Sequence, residues 1–334
     1  MSQPQGLKAA LKRGALITAA NWPVVIIQFI TQATFTLLLL FPTAAGVSLV
    51  SLLMDDVGDL ATHDMRDLLL SVVSVLRAQP IALLSFLAGF AVVILGGAAL
   101  TFVVKSGTIA VLVKGEAAAG AVERPPLRLT AFRRSSQYTP EVFLAGATYF
   151  GRRFVTLGWA LLVVYGVSAA LYVTAAVLGT QWLSELGAIV GWSLVAILTG
   201  VLLVWITVIN LVYLLVQLAI VMSDTTVVAG LQLVARLLYR RGSDVVLIFV
   251  ISAILAAVAL AAAILATAGL GLISFVPFFG LAVVPLQIVS WVTRGLVFQY
   301  GGLAALSAYV AMFRAEASMH PSTAPGSEVL QTAS

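Results

Sequence analysis

Residues 283–313 read VVPLQIVSWVTRGLVFQYGGLAALSAYVAMF. As a helix this run is long enough to cross the ~30 Å hydrocarbon core of a bilayer. It carries one charge, Arg294, near its middle, and no other long apolar run of the chain holds Asp, Glu, Lys or Arg in its interior. A charge at that depth costs about 3 kcal/mol or more unless it snorkels, pairs or meets water. Gly295, Gly301, Gly302, Ala304, Ala305, Ser307 and Ala308 follow it. Small residues in that number suit a helix packed closely against others.

The rest of the chain is of the same kind. Of 334 residues, 61% are hydrophobic and 9% charged, against roughly 25% charged in a soluble domain. So few charges cannot cover a surface facing water. The apolar runs are continuous rather than alternating, which selects helices over a closed barrel, the two backbone solutions lipid allows. The expected fold is all-α, a polytopic membrane bundle of about six transmembrane helices with amphipathic interfacial helices. There is no cysteine, so disulfides, thiolate chemistry and cysteine-held metals are excluded. His63 and His320 both lie in polar segments, so no span offers an imidazole to a haem, and no cofactor is expected. The net charge of +5 is strung along particular loops. That is a topology signal rather than a nucleic-acid footprint.

Taken in order, a short basic start with Lys8, Lys12 and Arg13 precedes an apolar stretch over 14–54. It reads as one retained span near 22–40 that bends or ends near Pro42. A tight hairpin of two spans would put the acidic segment 55–80 inside and the arginine-rich segment outside, against the positive-inside rule. Further spans are expected near 81–104, 154–178, 190–213, 244–270 and 283–313, in a single membrane domain over 1–317 with a polar tail over 318–334. The segment 105–153 holds eight bases and three acids and is expected in the cytoplasm, with both termini. Thr139-Pro140-Glu141 is a helix start: a capping hydroxyl, proline in the first turn, an acid by the dipole.

Two stretches on that side are amphipathic. Over 227–241, Val227, Leu231, Val234 and Leu238 share one face and Gln232, Arg236 and Arg240 another. Ser223-Asp224-Thr225 offers a cap before it, and Gly242 an end after it. The pairs Arg152-Arg153 and Arg240-Arg241 each precede a span, which suggests a weak parallel duplication. Inverted repeats, a common mark of secondary transporters, are not seen.

The run IVMSDTTVVAGLQLVARLLYRR at 220–241, Lys105-Ser106-Gly107 leaving the second span, and Pro285, Tyr309 and Arg314 in the last resemble a broad group of six-span bacterial proteins. The group includes the glycerophosphoryl diester phosphodiesterase membrane domain and related domains of unknown function. The resemblance implies a bacterial inner-membrane protein without catalytic residues of its own, since in those phosphodiesterases the chemistry belongs to a separate soluble domain.

The candidate sites follow. Arg294 pairs with an anionic headgroup, a substrate or a partner carboxylate, or else merely snorkels; Asn21, Gln28, Gln32, Asn210 and Gln217 are its candidate polar neighbours. Arg152, Arg153, Arg236, Arg240 and Arg241 bind anionic membrane lipids at ~1 kcal/mol per base, or else only fix orientation. Asp59, His63 and Asp67, spaced by four, offer oxygen and imidazole donors to a divalent cation; the competing reading is a solvated acidic surface, and no metal site is assigned. No G-x-S-x-G elbow, P-loop or H-E-x-x-H occurs. The expected function is a non-catalytic scaffold or accessory subunit that organises lipid, a membrane protein partner or a homo-oligomer. The alternative is a small permease with Arg294 in its path. An intramembrane enzyme is the third reading.

Overall fold

A computed structural model describes residues 7–53, 80–123, 129–182, 188–274 and 280–319. Among them the chain forms eight helices and no strand: α1 (Leu7–Ala20), α2 (Trp22–Leu53), α3 (Pro80–Ala118), α4 (Leu129–Ser135), α5 (Pro140–Trp182), α6 (Ala188–Ser223), α7 (Val227–Ser274) and α8 (Gly280–Met319). Six of these, all but α1 and α4, are long and apolar enough to cross a membrane. This is an all-helical, multi-pass membrane protein.

The chain divides into two compact units. One, Ile30–Phe102, holds parts of α2 and α3, with Gly97 beneath the Phe35 ring. The other, Met1–Phe29 with Val103–Ser334, holds the core and everything described below.

Local sequence sets the helix ends. The apolar stretch over 14–54 is not one element. Asn21 interrupts it, its Nδ2 donating to the Ile17 carbonyl at 2.9 Å, and α2 restarts at Trp22. Pro23 falls in the first turn of α2, where no intrahelical donor is lost. α2 stays helical through Pro42 to Leu53 rather than ending there; lipid-embedded helices tolerate proline because neighbouring groups take up the freed carbonyl. α3 ends at Ala118, and the chain turns at Gly120, whose φ of +58° is costly for a residue with a Cβ. α5 starts as its sequence predicts: Val142 N donates to Thr139 Oγ1 at 3.3 Å. The cap of α7 is Thr226, whose Oγ1 accepts from Ala229 N at 3.4 Å, not the triplet before it. Asp224 turns the chain there in the left-handed region, φ 47°.

In the larger unit each long helix changes character along its length. Val24 and Val25 of α2, Ile109 and Leu112 of α3, Phe154 and Leu157 of α5, Leu215–Ile220 of α6, Val245 and Ile248 of α7 and the run from Leu306 to Met312 of α8 are buried. Beyond them, residues such as Leu171, Trp205, Leu255 and Ile288 stand exposed. Apolar surface needs burial only in water; in hydrocarbon it gains little by it. The helices therefore build their core at one end, with α1 inserted into it, and beyond it present the apolar surface that suits lipid. At Gly14, α1 crosses α8 so closely that a Cβ would lie 2.6 Å from Ala308 N. Thr18 and Ser307 share a hydrogen bond of 3.1 Å at the same crossing.

α7 kinks at Arg241 (φ −133°, ψ 30°), separating 227–240 from the span. The Arg152-Arg153 pair instead lies within the unbroken α5, so the two arginine pairs are not structural equivalents. The amphipathic face of 227–240 is also rotated from its expected position. Gly230, Val234 and Leu237 are buried, while Val228, Leu231 and Tyr239 (93% exposed) point out. The close seat of Gly230 on Ile220 and Val216, where a Cβ would meet Ile220 Cγ1 at 3.4 Å, selects the inward face.

Candidate functional site

Charge is distributed unevenly over the larger unit. Among the described residues, every Asp, Glu, Lys and Arg except Arg294 lies on the segments that build the core or adjoin it.

At the centre of that end is a buried ionic cluster. Arg13 of α1 reaches Glu116 Oε1 at 2.9 Å and Glu123 Oε2 at 2.8 Å. It also donates to the Gly120 carbonyl and, at 3.2 Å, to the Glu116 carbonyl, at the end of α3. Arg314 of α8 lies 2.6 Å from Glu116 Oε2. The Arg13, Glu116 and Glu123 side chains are at most 8% exposed. Two guanidiniums against two carboxylates leave no net charge, so the cluster has no charge to offer a ligand and acts as a fastener between α1, α3 and α8. None of these four was expected as a site. Their signal in the sequence is slight: Glu116 and Glu123 are isolated acids in a basic segment.

A second polar junction joins α5 to the α6–α7 turn. Arg153 Nη1 donates to Asp224 Oδ1 at 2.6 Å and the Tyr149 hydroxyl to Oδ2 at 2.8 Å. The guanidinium lies over the Tyr149 and Phe150 rings. The hydrogen bonds from Arg153 and then Tyr149 hold the Asp224 carboxyl below the usual carboxylate range. Arg153 is thus committed to an ion pair, whereas Arg152, Arg236 and Arg240 are exposed. Arg241 sits half-buried at the kink.

Three of the amides expected near Arg294, Asn21, Gln28 and Asn210, are engaged elsewhere. Asn21 Nδ2 also donates to the Ser135 carbonyl at 2.8 Å, and Oδ1 accepts from Gln137 N and Tyr138 N at 2.8 and 3.0 Å. Gln28 donates to Thr108 at 2.6 Å. Asn210 accepts from the Tyr165 hydroxyl at 2.6 Å. Gln217 is buried beside Tyr213.

Arg294 itself stands exposed on α8, with Trp291 and Val297 exposed one turn to either side. The flank beside it is taken: Gly295 sits against the Phe29 ring, and Phe29 meets Trp291 edge-on at 5.5 Å. A Cβ at Gly301 or Gly302 would find nothing within 4 Å. Among the described residues Arg294 makes no hydrogen bond or ion pair. A separate open groove of about 640 Å³ lies where α3 crosses α5, lined by Ala110, Val142, Gly146, Tyr149 and Phe150 with Lys114 at its rim. It is largely apolar and open to the outside.

The Asp59, His63 and Asp67 grouping lies outside the described residues, as does the acidic segment that contains it. Comparison with family models, with curated proteins and with solved structures finds no match for the chain.

Proposed function

We propose that this chain is a non-catalytic membrane scaffold or accessory subunit that works through its outer surfaces. The observation that carries this reading is the direction of Arg294. It is exposed on the outside of α8, and three of the amides that would line a polar path, Asn21, Gln28 and Asn210, are bonded to other partners. A permease needs its intramembrane charge in a water-filled or polar cavity, and that alternative draws no support from an outward arginine.

The interfacial helix 227–240 supports a second contact, with anionic lipid. Val228, Leu231 and Tyr239 face out beside Arg236 and Arg240, as expected of a helix lying in a headgroup layer. By the positive-inside rule this end faces the cytoplasm and both termini lie there. A bacterial inner membrane is the location this reading carries over from the resemblance seen in the sequence.

Purification in mild detergent, comparing the protein with Arg294→Leu, tests the reading. The expected result is an associated protein or anionic lipid at constant ratio, reduced in the variant while yield and elution volume hold. Identical complements in both, with solute flux that depends on Arg294 in vesicles, would replace scaffold by permease.

A further inference from the structure

With the hydrocarbon taken to run from Val283 to Gly302, Arg294 lies at mid-depth. Its helix enters the buried core at Leu303, nine positions on, which is about 13 Å at 1.5 Å per residue. Val283 is eleven positions the other way, about 16 Å. Residues 283–302 thus match the ~30 Å hydrocarbon thickness, with the guanidinium near its middle and each headgroup layer roughly 15 Å off.

Among the described residues no acid lies near Arg294. Glu116 and Glu123 are bound to Arg13, and Asp224 to Arg153. Glu141 and Asp244 lie on the segments that build the core, and the remaining acids fall in polar segments of the sequence between or after the apolar runs. A second copy docking by the same face would oppose one Arg294 with another, because a two-fold interface pairs like with like. Anionic lipid would require the side chain to reach a distant headgroup layer. The face is shaped for something closer. Gly301, two turns below Arg294 on the same side, and Gly302 leave backbone open to an approaching helix, as small residues do at membrane helix contacts.

We infer that the Arg294 face of α8 docks a transmembrane helix of another membrane protein that carries an Asp or Glu at mid-span. In hydrocarbon, neither charge is well accommodated alone, and together they form a charge-assisted, bidentate pair. Arginine rather than lysine suits the role, because its planar fork matches a carboxylate. The inference rests on the scaffold reading, in which the outer face of α8 is a working surface.

The test uses the full chain, donor-labelled and reconstituted in neutral phosphatidylcholine vesicles. An acceptor-labelled polyleucine helix of about 20 residues, with Asp, Asn or Leu at its centre, is titrated in. The expected result is about ten-fold tighter energy-transfer association of the Asp helix than of the Leu helix, a step of about 1.4 kcal/mol. The preference should vanish in Arg294→Leu, persist in part in Arg294→Lys, and fall when Gly301→Leu blocks the approach. Equal association of the Asp and Leu helices, or a preference that survives Arg294→Leu, overturns the inference. So does loss of the preference on adding phosphatidylglycerol, which would make lipid the occupant. Arg294-dependent solute flux alongside an intact Asp preference would instead remove the scaffold reading and leave this one standing.

Discussion

Arg13 and Glu116 meet at 2.9 Å across 103 residues of chain, both side chains almost wholly buried. Glu116 also receives Arg314, so one carboxylate ties the first helix to the last. Removing one member of a buried pair leaves the others uncompensated, at roughly 3–5 kcal/mol. Glu116→Ala should lose about that much in denaturant titration of the detergent-solubilised protein. Replacing Arg13, Glu116 and Glu123 together with Met, Leu and Leu should cost clearly less than Glu116→Ala alone, because no buried charge is then orphaned.

Asn21 is the other fastener. It holds a carbonyl and two amides of the 135–138 segment as well as the end of α1. Asn21→Leu leaves Gln137 N and Tyr138 N without their acceptor, at about 1–3 kcal/mol for each buried group left unmet. The expected outcome is faster proteolysis near Gln137 with the spans still inserted; an unchanged cleavage rate would show that the clamp is idle.

The Asp224 carboxyl is held below its usual range by Arg153 and Tyr149. A carboxylate with a lowered folded-state pKa contributes stability that is present above its unfolded value and lost as pH falls through the folded one. The α5–α7 junction should therefore stay closed through neutral and mildly acidic pH and loosen only below the ordinary carboxylate range. The pair is exposed, so the effect is small, about 0.2–1 kcal/mol. Hydrogen exchange at Thr225 and Thr226 should show this acid limb in the protein and none in Asp224→Asn.

Tyr239 stands 93% exposed between Arg236 and Arg240. If the 227–240 helix lies in the headgroup layer, Tyr239→Trp should be quenched by lipids spin-labelled near the glycerol and little by those labelled at the chain end. Phosphatidylglycerol should blue-shift its emission further. Quenching by aqueous iodide alone would place this helix in water.

Much of this fold is legible in the residues, because a span needs only length and apolarity. The exposure changes near Lys105, Phe154 and Val245 fall where the apolar runs meet the basic segments, whereas that at Tyr213 falls inside a run that continues to Met222. Three features are not legible, each for a physical reason. The break at Asn21 hides in an apolar stretch because a single amide in hydrophobic sequence reads as tolerated polarity, and three of its four bonds come from residues over 100 positions away. The Arg13–Glu116–Arg314 cluster draws on three distant segments, and only the crossing of α1 over α8 brings them together. The 227–240 helix is apolar on two faces, and periodicity alone does not say which meets protein and which meets lipid. Arg294 stands out in the sequence, since a lone charge in an apolar run needs no fold to be seen; its exposure on α8 shows only in the packed helices.

The central claim is that the exposed face of α8 around Arg294 lies in hydrocarbon at mid-depth. The chain has no cysteine, so Val297→Cys carries a single spin label one turn away on that face. Power-saturation measurements in vesicles should show strong collision with oxygen and almost none with a water-soluble nickel chelate. Ready collision with the chelate would put the face in water, and Arg294 would then be an ordinary solvated charge.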